Sequence, residues 1–319
     1  MKTKMLAAVV AAGVLVTSAH AASWSITPYA GIPGAIHAQP MGMNDQGMLV
    51  VQADNGSYID DHGVLTAYAG FGPHDFGGLT DISNGGVLVG NQNGIGFVDD
   101  HGVVTNLAVS GAAWTTASSI SANGRYVSGI YGTSPDQHSQ EGFVYDRTTA
   151  TYSTILAPVD QYVDAVGGVN DAGQAVGDFS DDDYDGTSFL FDAVTGTRQE
   201  IDAVGDVLGP LVTTINNAGQ LGGFGFTPGP DFAVIGFVGT PGGSVSQIAP
   251  PPGNDVLVVR DLTNSGLALG QMFGPDGHET EVILTEVSAV PEPGSPLMFA
   301  GALLVFGVAT ARRRAGRVR

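Results

Sequence analysis

Six times between residues 43 and 266 the chain repeats one short pattern: an apolar residue, three residues rich in Asn, Asp, Ser and Ala, then glycine. The six are Met43-Asn44-Asp45-Gln46-Gly47, Ile82-Ser83-Asn84-Gly85-Gly86, Ile120-Ser121-Ala122-Asn123-Gly124, Val169-Asn170-Asp171-Ala172-Gly173, Ile215-Asn216-Asn217-Ala218-Gly219 and Leu262-Thr263-Asn264-Ser265-Gly266. Their glycines stand 39, 38, 49, 46 and 47 residues apart, the period of a repeated supersecondary unit. Asn, Asp and Ser hydrogen-bond their own backbone in a type I turn, and glycine takes the positive φ that follows. Each pattern therefore joins two antiparallel strands.

After each turn comes a strand of Leu, Val and small residues, as in Gln174-Ala175-Val176-Gly177-Asp178-Phe179. A third strand then starts near an aromatic, Tyr58, Phe97, Phe143, Phe189 or Phe237, and a short fourth strand closes the unit, as at Thr151 to Ile155. No stretch of the repeat region carries a helical period. The spacing thus predicts an all-β chain, a six-bladed β-propeller of four-stranded blades across residues 22–288. The sixth repeat ends after its third strand, Thr280 to Thr285. Ser23 to Tyr29 reads as an outer strand placed before the first turn. Pairing the two closes the ring and removes an exposed edge, and Pro28 is compatible with an outermost strand.

The first 21 residues read as a secretory signal: Lys2 and Lys4, an apolar run from Met5 to Val16, and a small-residue cleavage site at Ala19-His20-Ala21. Residues 289–319 hold Val290-Pro291-Glu292-Pro293, an apolar run from Leu297 to Ala311, and then Arg312, Arg313 and Arg314. Moving those guanidinium groups through hydrocarbon is costly, so they act as a stop that leaves the repeat domain outside. At ~1.5 Å per residue the 15-residue helix is about 22 Å long, short of a ~30 Å hydrocarbon core, which suits a temporary transmembrane anchor.

The Pro291-Glu292-Pro293 motif, short apolar helix and arginine tail together resemble a PEP-CTERM sorting signal. The resemblance implies an exosortase-like processing enzyme as partner, Pro291, Glu292 and Pro293 as its recognition element, and export to the surface or exterior of a Gram-negative bacterium that makes extracellular polysaccharide. The repeats are similar to HAF-type extracellular repeats, with Gly142-Phe143-Val144-Tyr145-Asp146 and Asn170-Asp171-Ala172-Gly173-Gln174-Ala175-Val176-Gly177 carrying the likeness. No catalytic residues follow from it.

Lys2, Lys4 and the tail arginines make up seven of the eleven basic residues, leaving Arg125, Arg147, Arg198 and Arg260 against 31 acids. A field of that sign repels phosphate backbones and excludes nucleic acid as a partner. There is no cysteine, so burial and strand pairing alone hold the fold.

The sharpest local signal is Asp181-Asp182-Asp183-Tyr184-Asp185-Gly186. Asp181, Asp183, Asp185 and Asp192 stand at positions 1, 3, 5 and 12 of a calcium-type loop, where alternate carboxylates converge on Ca2+; a solvated acidic turn is the other reading. His62 and His101 belong to equivalent Asp-His-Gly turns, and His74, His138 and His278 to polar loops without metal spacing. His37 falls on a predicted innermost strand and is a minor candidate for ligand contact from the channel. Trp24 and Trp114 either stack on sugars or fill blade interfaces. No nucleophile elbow, P-loop or dinucleotide motif is present. The sequence points to an exported structural or binding propeller associated with extracellular polysaccharide. A polysaccharide lyase or hydrolase with its site at the channel mouth, and a calcium-stabilised scaffold, stand as alternatives.

Overall fold

Within each repeat, Val, Leu and Phe alternate with Gly, Ser and Thr, a composition suited to pleated surfaces packed on both faces. The computed structural model describes residues 23–71, 77–134, 140–181, 186–228 and 233–287. The strands are β1 (Ser23–Pro28); β2 (Ala38–Met43), β3 (Leu49–Ala53), β4 (Gly56–Asp61) and β5 (Val64–Ala67) in blade one; and β6 (Gly77–Ile82), β7 (Leu88–Gln92), β8 (Ile95–Asp100) and β9 (Val103–Asn106) in blade two. Blade three holds β10 (Trp114–Ile120), β11 (Tyr126–Gly132), β12 (Gln140–Asp146) and β13 (Thr151–Ile155), and blade four β14 (Tyr162–Val169), β15 (Gln174–Ser180), β16 (Gly186–Asp192) and β17 (Thr197–Ile201). Blade five adds a short β18 (Ala203–Val204) to β19 (Val207–Ile215), β20 (Leu221–Phe226), β21 (Val234–Gly239) and β22 (Val245–Ile248); blade six has β23 (Val256–Leu262), β24 (Leu267–Phe273) and β25 (Glu279–Val287).

These form six antiparallel sheets, four-stranded except for the fifth, which β18 extends to five strands. The first strands of the blades, β2, β6, β10, β14, β19 and β23, touch one another in cyclic order, so they surround the axis. The chain is a six-bladed propeller. β1 completes blade six from outside, pairing with β25 from Ser23↔Val287 to Pro28↔Val282. The expected partner segment was Thr280 to Thr285; the observed register lies two residues further along.

Each blade junction holds its own core. Phe143 packs with Val89, Val98, Leu107 and Val127 between blades two and three, and Phe189 with Val144, Ile155, Val163 and Phe179 between blades three and four. Phe97, Phe143, Phe189 and Phe237 are all buried against the preceding blade. Burying such a ring contributes roughly 2–3 kcal/mol. The register seats each of them opposite a glycine of the second strand: Gly90↔Phe97, Gly129↔Phe143, Gly177↔Phe189 and Gly223↔Phe237. A Cβ on Gly129 or Gly177 would stand 2.7 Å from the ring tip. The Val-Gly signature of the repeat is thus the socket for the aromatic of the next strand.

The signal segment with Ala19 and Ala21, the Pro291-Glu292-Pro293 motif, the C-terminal helix with Arg312, Arg313 and Arg314, and His74, His138, Asp183 and Asp185 lie outside the described residues. Among the described residues no helix is long and apolar enough to cross a membrane.

The axis and candidate functional site

The six turn motifs gather at one mouth of the axis, where each donates a backbone N–H to the next blade. Asp45 N donates to Asn84 Oδ1 (2.9 Å), Asn84 N to the Ala122 carbonyl (2.9 Å), and Asn123 N to Asp171 Oδ1 (2.8 Å). Asp171 N then donates to Asn217 Oδ1 (2.8 Å), Asn217 N to Asn264 Oδ1 (2.7 Å), and Asn264 N back to Asp45 Oδ1 (2.7 Å). The circle is closed. Side-chain amides reinforce it, Asn84 Nδ2 and Asn264 Nδ2 on Asp45 Oδ2 and Asn217 Nδ2 on Asp171 Oδ2. Blade three carries Ala122 where the others carry Asp or Asn, and its carbonyl takes over the acceptor role. One layer deeper, Asn44, Asn170 and Asn216 each accept two N–H bonds of their own turn on Oδ1 and donate Nδ2 to the carbonyl of Ser83, Asn216 and Thr263 respectively.

Below this ring every inner strand carries a register shift at the equivalent place, between Pro40 and Gly42, Leu79 and Asp81, Ala117 and Ser119, Val166 and Val169, Val212 and Thr214, and Val259 and Asp261. A bulge re-aims side chains, and here it brings Asp81, Ser119, Gly168, Thr214 and Asp261 onto the axis. Asp81 and Asp261 flank Gly42 of blade one. A Cβ on Gly42 would overlap the Asp81 carboxylate and stand 2.8 Å from the Thr80 carbonyl, so only glycine fits.

Both carboxyl groups are heavily hydrogen-bonded across blades. Asp81 accepts from Ser119 Oγ (2.7 Å), Ile120 N (2.8 Å) and Ile82 N (2.7 Å). Asp261 accepts from Met43 N (2.8 Å), Leu262 N (2.8 Å) and Thr214 Oγ1 (3.3 Å). Burial, and then the facing Asp261 charge, push the Asp81 carboxyl well above the usual range. Burial likewise raises Asp261, against the pull of its N–H donors and Arg260. The cavities on the axis measure about 40 and 70 Å3, room for a few water molecules.

At the opposite face the blades differ. In blades one and two, β3 and β4 are joined by Asp54-Asn55, and β7 and β8 by Asn93-Gly94, whereas the corresponding links in the other four blades have five to seven residues. These short hairpins, with the shorter strands β3 to β5 and β7 to β9, contribute to the shorter period of the first two repeats. Between blades one and two this face holds a groove of about 640 Å3 lined by Gln52, Asp54, Asn55, Tyr58, Tyr68 and Phe71. Between blades two and three it holds one of about 180 Å3 lined by Ile95, Leu107, Val109 and Trp114.

Of the residues singled out from sequence, Asp192 stands at the opposite end of β16 from Gly186, about 20 Å away at ~3.3 Å per residue, and its carboxylate caps its own turn at Val194 N and Thr195 N. The structure does not bring it to Asp181. Among the described residues no group of three or more His, Asp or Glu is arranged to hold a metal ion. The placement of His37 on an innermost strand is corrected, and with it the candidate channel contact: it precedes β2, is exposed, and lines neither axial cavity, its carbonyl accepting from Asp54 N at the far end of the hairpin. His62 and His101 sit at φ 53° in their turns, each with Nδ1 2.8 Å from the preceding aspartate. Trp24 packs on the core of blade six, and Trp114 is half-buried with its indole N–H on the Ser134 carbonyl. Asp81 and Asp261 had one signal in the sequence, an acid inside an apolar strand immediately before a turn motif.

The sequence matches no family model and no curated protein. Among solved structures, the N11 neuraminidase-like protein of A/flat-faced bat/Peru/033/2010 (H18N11) is 12% identical, with 83% of this chain and 93% of that one covered at a TM-score of 0.49. Puromycin hydrolase is 14% identical at a TM-score of 0.48, covering 83% of this chain and 44% of that one. TolB from Acinetobacter baumannii is 12% identical at 0.44, over 75% of this chain and 60% of that one. The propeller assignment stands on the sheet topology and not on these likenesses.

Proposed function

We propose that this protein is an exported propeller that serves as a structural or binding component of the cell envelope or its polysaccharide matrix. The observation that supports this most is the closed axis: a head-to-tail ring of turns over two buried carboxyl groups and cavities of 40 and 70 Å3. An axis of that size has no room for a sugar ring, which turns attention from the channel mouth to the outer faces. The PEP-CTERM-like tail and signal segment supply the export part of the proposal, with an exosortase-like enzyme as the processing partner.

Fractionation of producing cells tests it. The chain is expected in the surface or extracellular fraction and is expected to leave with the matrix when polysaccharide is stripped; Glu292→Ala holds it at the inner membrane. Recovery in the cytoplasm sinks the proposal. Shortened glycans after incubation with the producer's own polysaccharide would favour the lyase or hydrolase alternative. A calcium-stabilised scaffold with no ligand of its own, its cation at the acidic loop of blade four without Asp192, is the other alternative. Chelation is expected to lower the melting temperature, and Asp183→Ala to abolish that effect.

A further inference from the structure

We propose that the face of blades one and two opposite the turn ring binds a neutral oligosaccharide chain, seated in the Tyr58–Tyr68–Phe71 groove and continuing over Trp114. The proposal rests on the binding reading above and names its site and ligand class.

The first groove, about 640 Å3, falls in the ~300–1,000 Å3 range of small-ligand sites, unlike either axial cavity. The hairpins of blades one and two at this face have two residues each, against five to seven in the corresponding links of the other blades.

Two of its rings, Tyr68 and Phe71, are held before any ligand arrives. Tyr68 stacks on Phe97 (6.4 Å, 5°), Phe71 meets both edge-on at 5.2 and 6.0 Å, and the Tyr68 hydroxyl donates to Asp99 Oδ2 at 2.8 Å. Fixed aromatic surface lowers the ordering cost of binding, and its apolar faces suit the C–H faces of a pyranose. At the rim, Gln52, Asp54 and Asn55 supply the donors and acceptors that hydroxyl groups need.

The charge decides which saccharide. Neither groove is lined by lysine or arginine, and the repeat domain sets four arginines against its large excess of acids. Uronic, sulfated or phosphorylated chains are repelled, whereas a neutral chain carries no such penalty. A polymer is favoured over a single sugar because the two grooves follow one another at consecutive blade junctions on one face, separated by the Asn93-Gly94 hairpin, and the second presents a fixed indole.

The test is calorimetric titration of the full chain with cellohexaose, xylohexaose and mannohexaose, and with hexagalacturonate as the acidic probe. At least one neutral hexamer is expected to bind, with hexagalacturonate at least tenfold weaker. Asn55→Arg, at an exposed hairpin position, is expected to weaken binding tenfold or more without moving the melting temperature. Trp114→Phe is expected to weaken the hexamer but not the corresponding trimer. Wild-type affinity in both Asn55→Arg and Tyr58→Ala overturns the site while leaving a glycan-binding protein. Equal or tighter binding of hexagalacturonate overturns the charge argument. Absence of neutral binding, in a chain that still leaves cells with the matrix, overturns the saccharide proposal and spares the matrix reading.

Discussion

Replacing Asp81 by alanine probes whether the blades are tied together at the axis. The side chain accepts three hydrogen bonds, two of them from blade three, and is buried at 6% exposure. Its removal leaves the Ile82 and Ile120 N–H groups without acceptors; the Ser119 hydroxyl can rotate away. A buried orphan donor costs about 1–3 kcal/mol, so the two together cost roughly 2–6. Two effects offset part of this: a desolvated carboxyl facing Asp261 is gone, and water from the adjoining 70 Å3 cavity can reach one donor. The net expectation is about 3 kcal/mol of destabilisation, a fall in Tm of roughly 6–12 °C at ~2–4 °C per kcal/mol for a domain of this size. Asp81→Asn keeps the volume and one acceptor oxygen, and should cost about half as much. The pH dependence supplies an independent readout. The native pKa of Asp81 lies above its unfolded value, so its proton is held more tightly in the folded chain. The associated stability is complete below about pH 4 and is lost as pH rises through the raised native value. Both variants should therefore flatten the decline in Tm as pH rises above about 4. Thermal melts by circular dichroism across that range decide the matter. If Asp81→Ala melts within 2 °C of the parent with an unchanged pH slope, the axial carboxyl does not stitch the blades.

Asn264→Ala removes the acceptor of Asn217 N and the amide donated to Asp45, and a loss of about 1 kcal/mol is expected from denaturant midpoints. Ile26→Asp places a charge on the strand that closes blade six, where Ile26 packs on the core; the expected results are a Tm lowered by more than 5 °C and concentration-dependent aggregation through the bared edge of β25, read by light scattering. Asp178 is pushed up to about 7 by burial and by the nearby Asp164, so it too contributes stability that is lost as pH rises from about 4 through 7; Asp178→Asn should narrow the difference in Tm between pH 5 and 8. Asp146 has the opposite sign. Its hydrogen bonds to Arg125 hold its carboxyl far below the usual range, so that stability is present above about pH 4 and disappears on acidification, and Asp146→Asn should steepen nothing above pH 5 while blunting the acid limb.

Much of the architecture was legible because each repeat states it locally. Asn-x-x-Gly predicts a turn from backbone preference alone, the apolar strands predict sheet, and six copies predict the number of blades. The missing outer strand of the last unit likewise predicts that Ser23 to Pro28 fills the gap, which β1 does with a two-residue offset. Misplacement occurred where meaning depended on distance along a strand. Asp192 falls at position 12 of a loop pattern in the linear order, yet seven residues of extended β16 carry it to the far face. His37 sits one residue outside the inner strand to which its neighbours belong.

The amino-acid order by itself determined strand, turn and repeat number, since these follow from short-range backbone preference and from a pattern copied six times. Only the closed ring decided what the repeated residues do. The Asp and Asn two positions before five of the six glycines are turn residues in any linear reading, but with each blade's successor in place they become links in a circle. Asp81 and Asp261, 180 residues apart in sequence, become one buried pair because six bulges aim inward at a common axis. Burial, charge coupling and open grooves are properties of that enclosure, and a chain read residue by residue has no enclosure to consult.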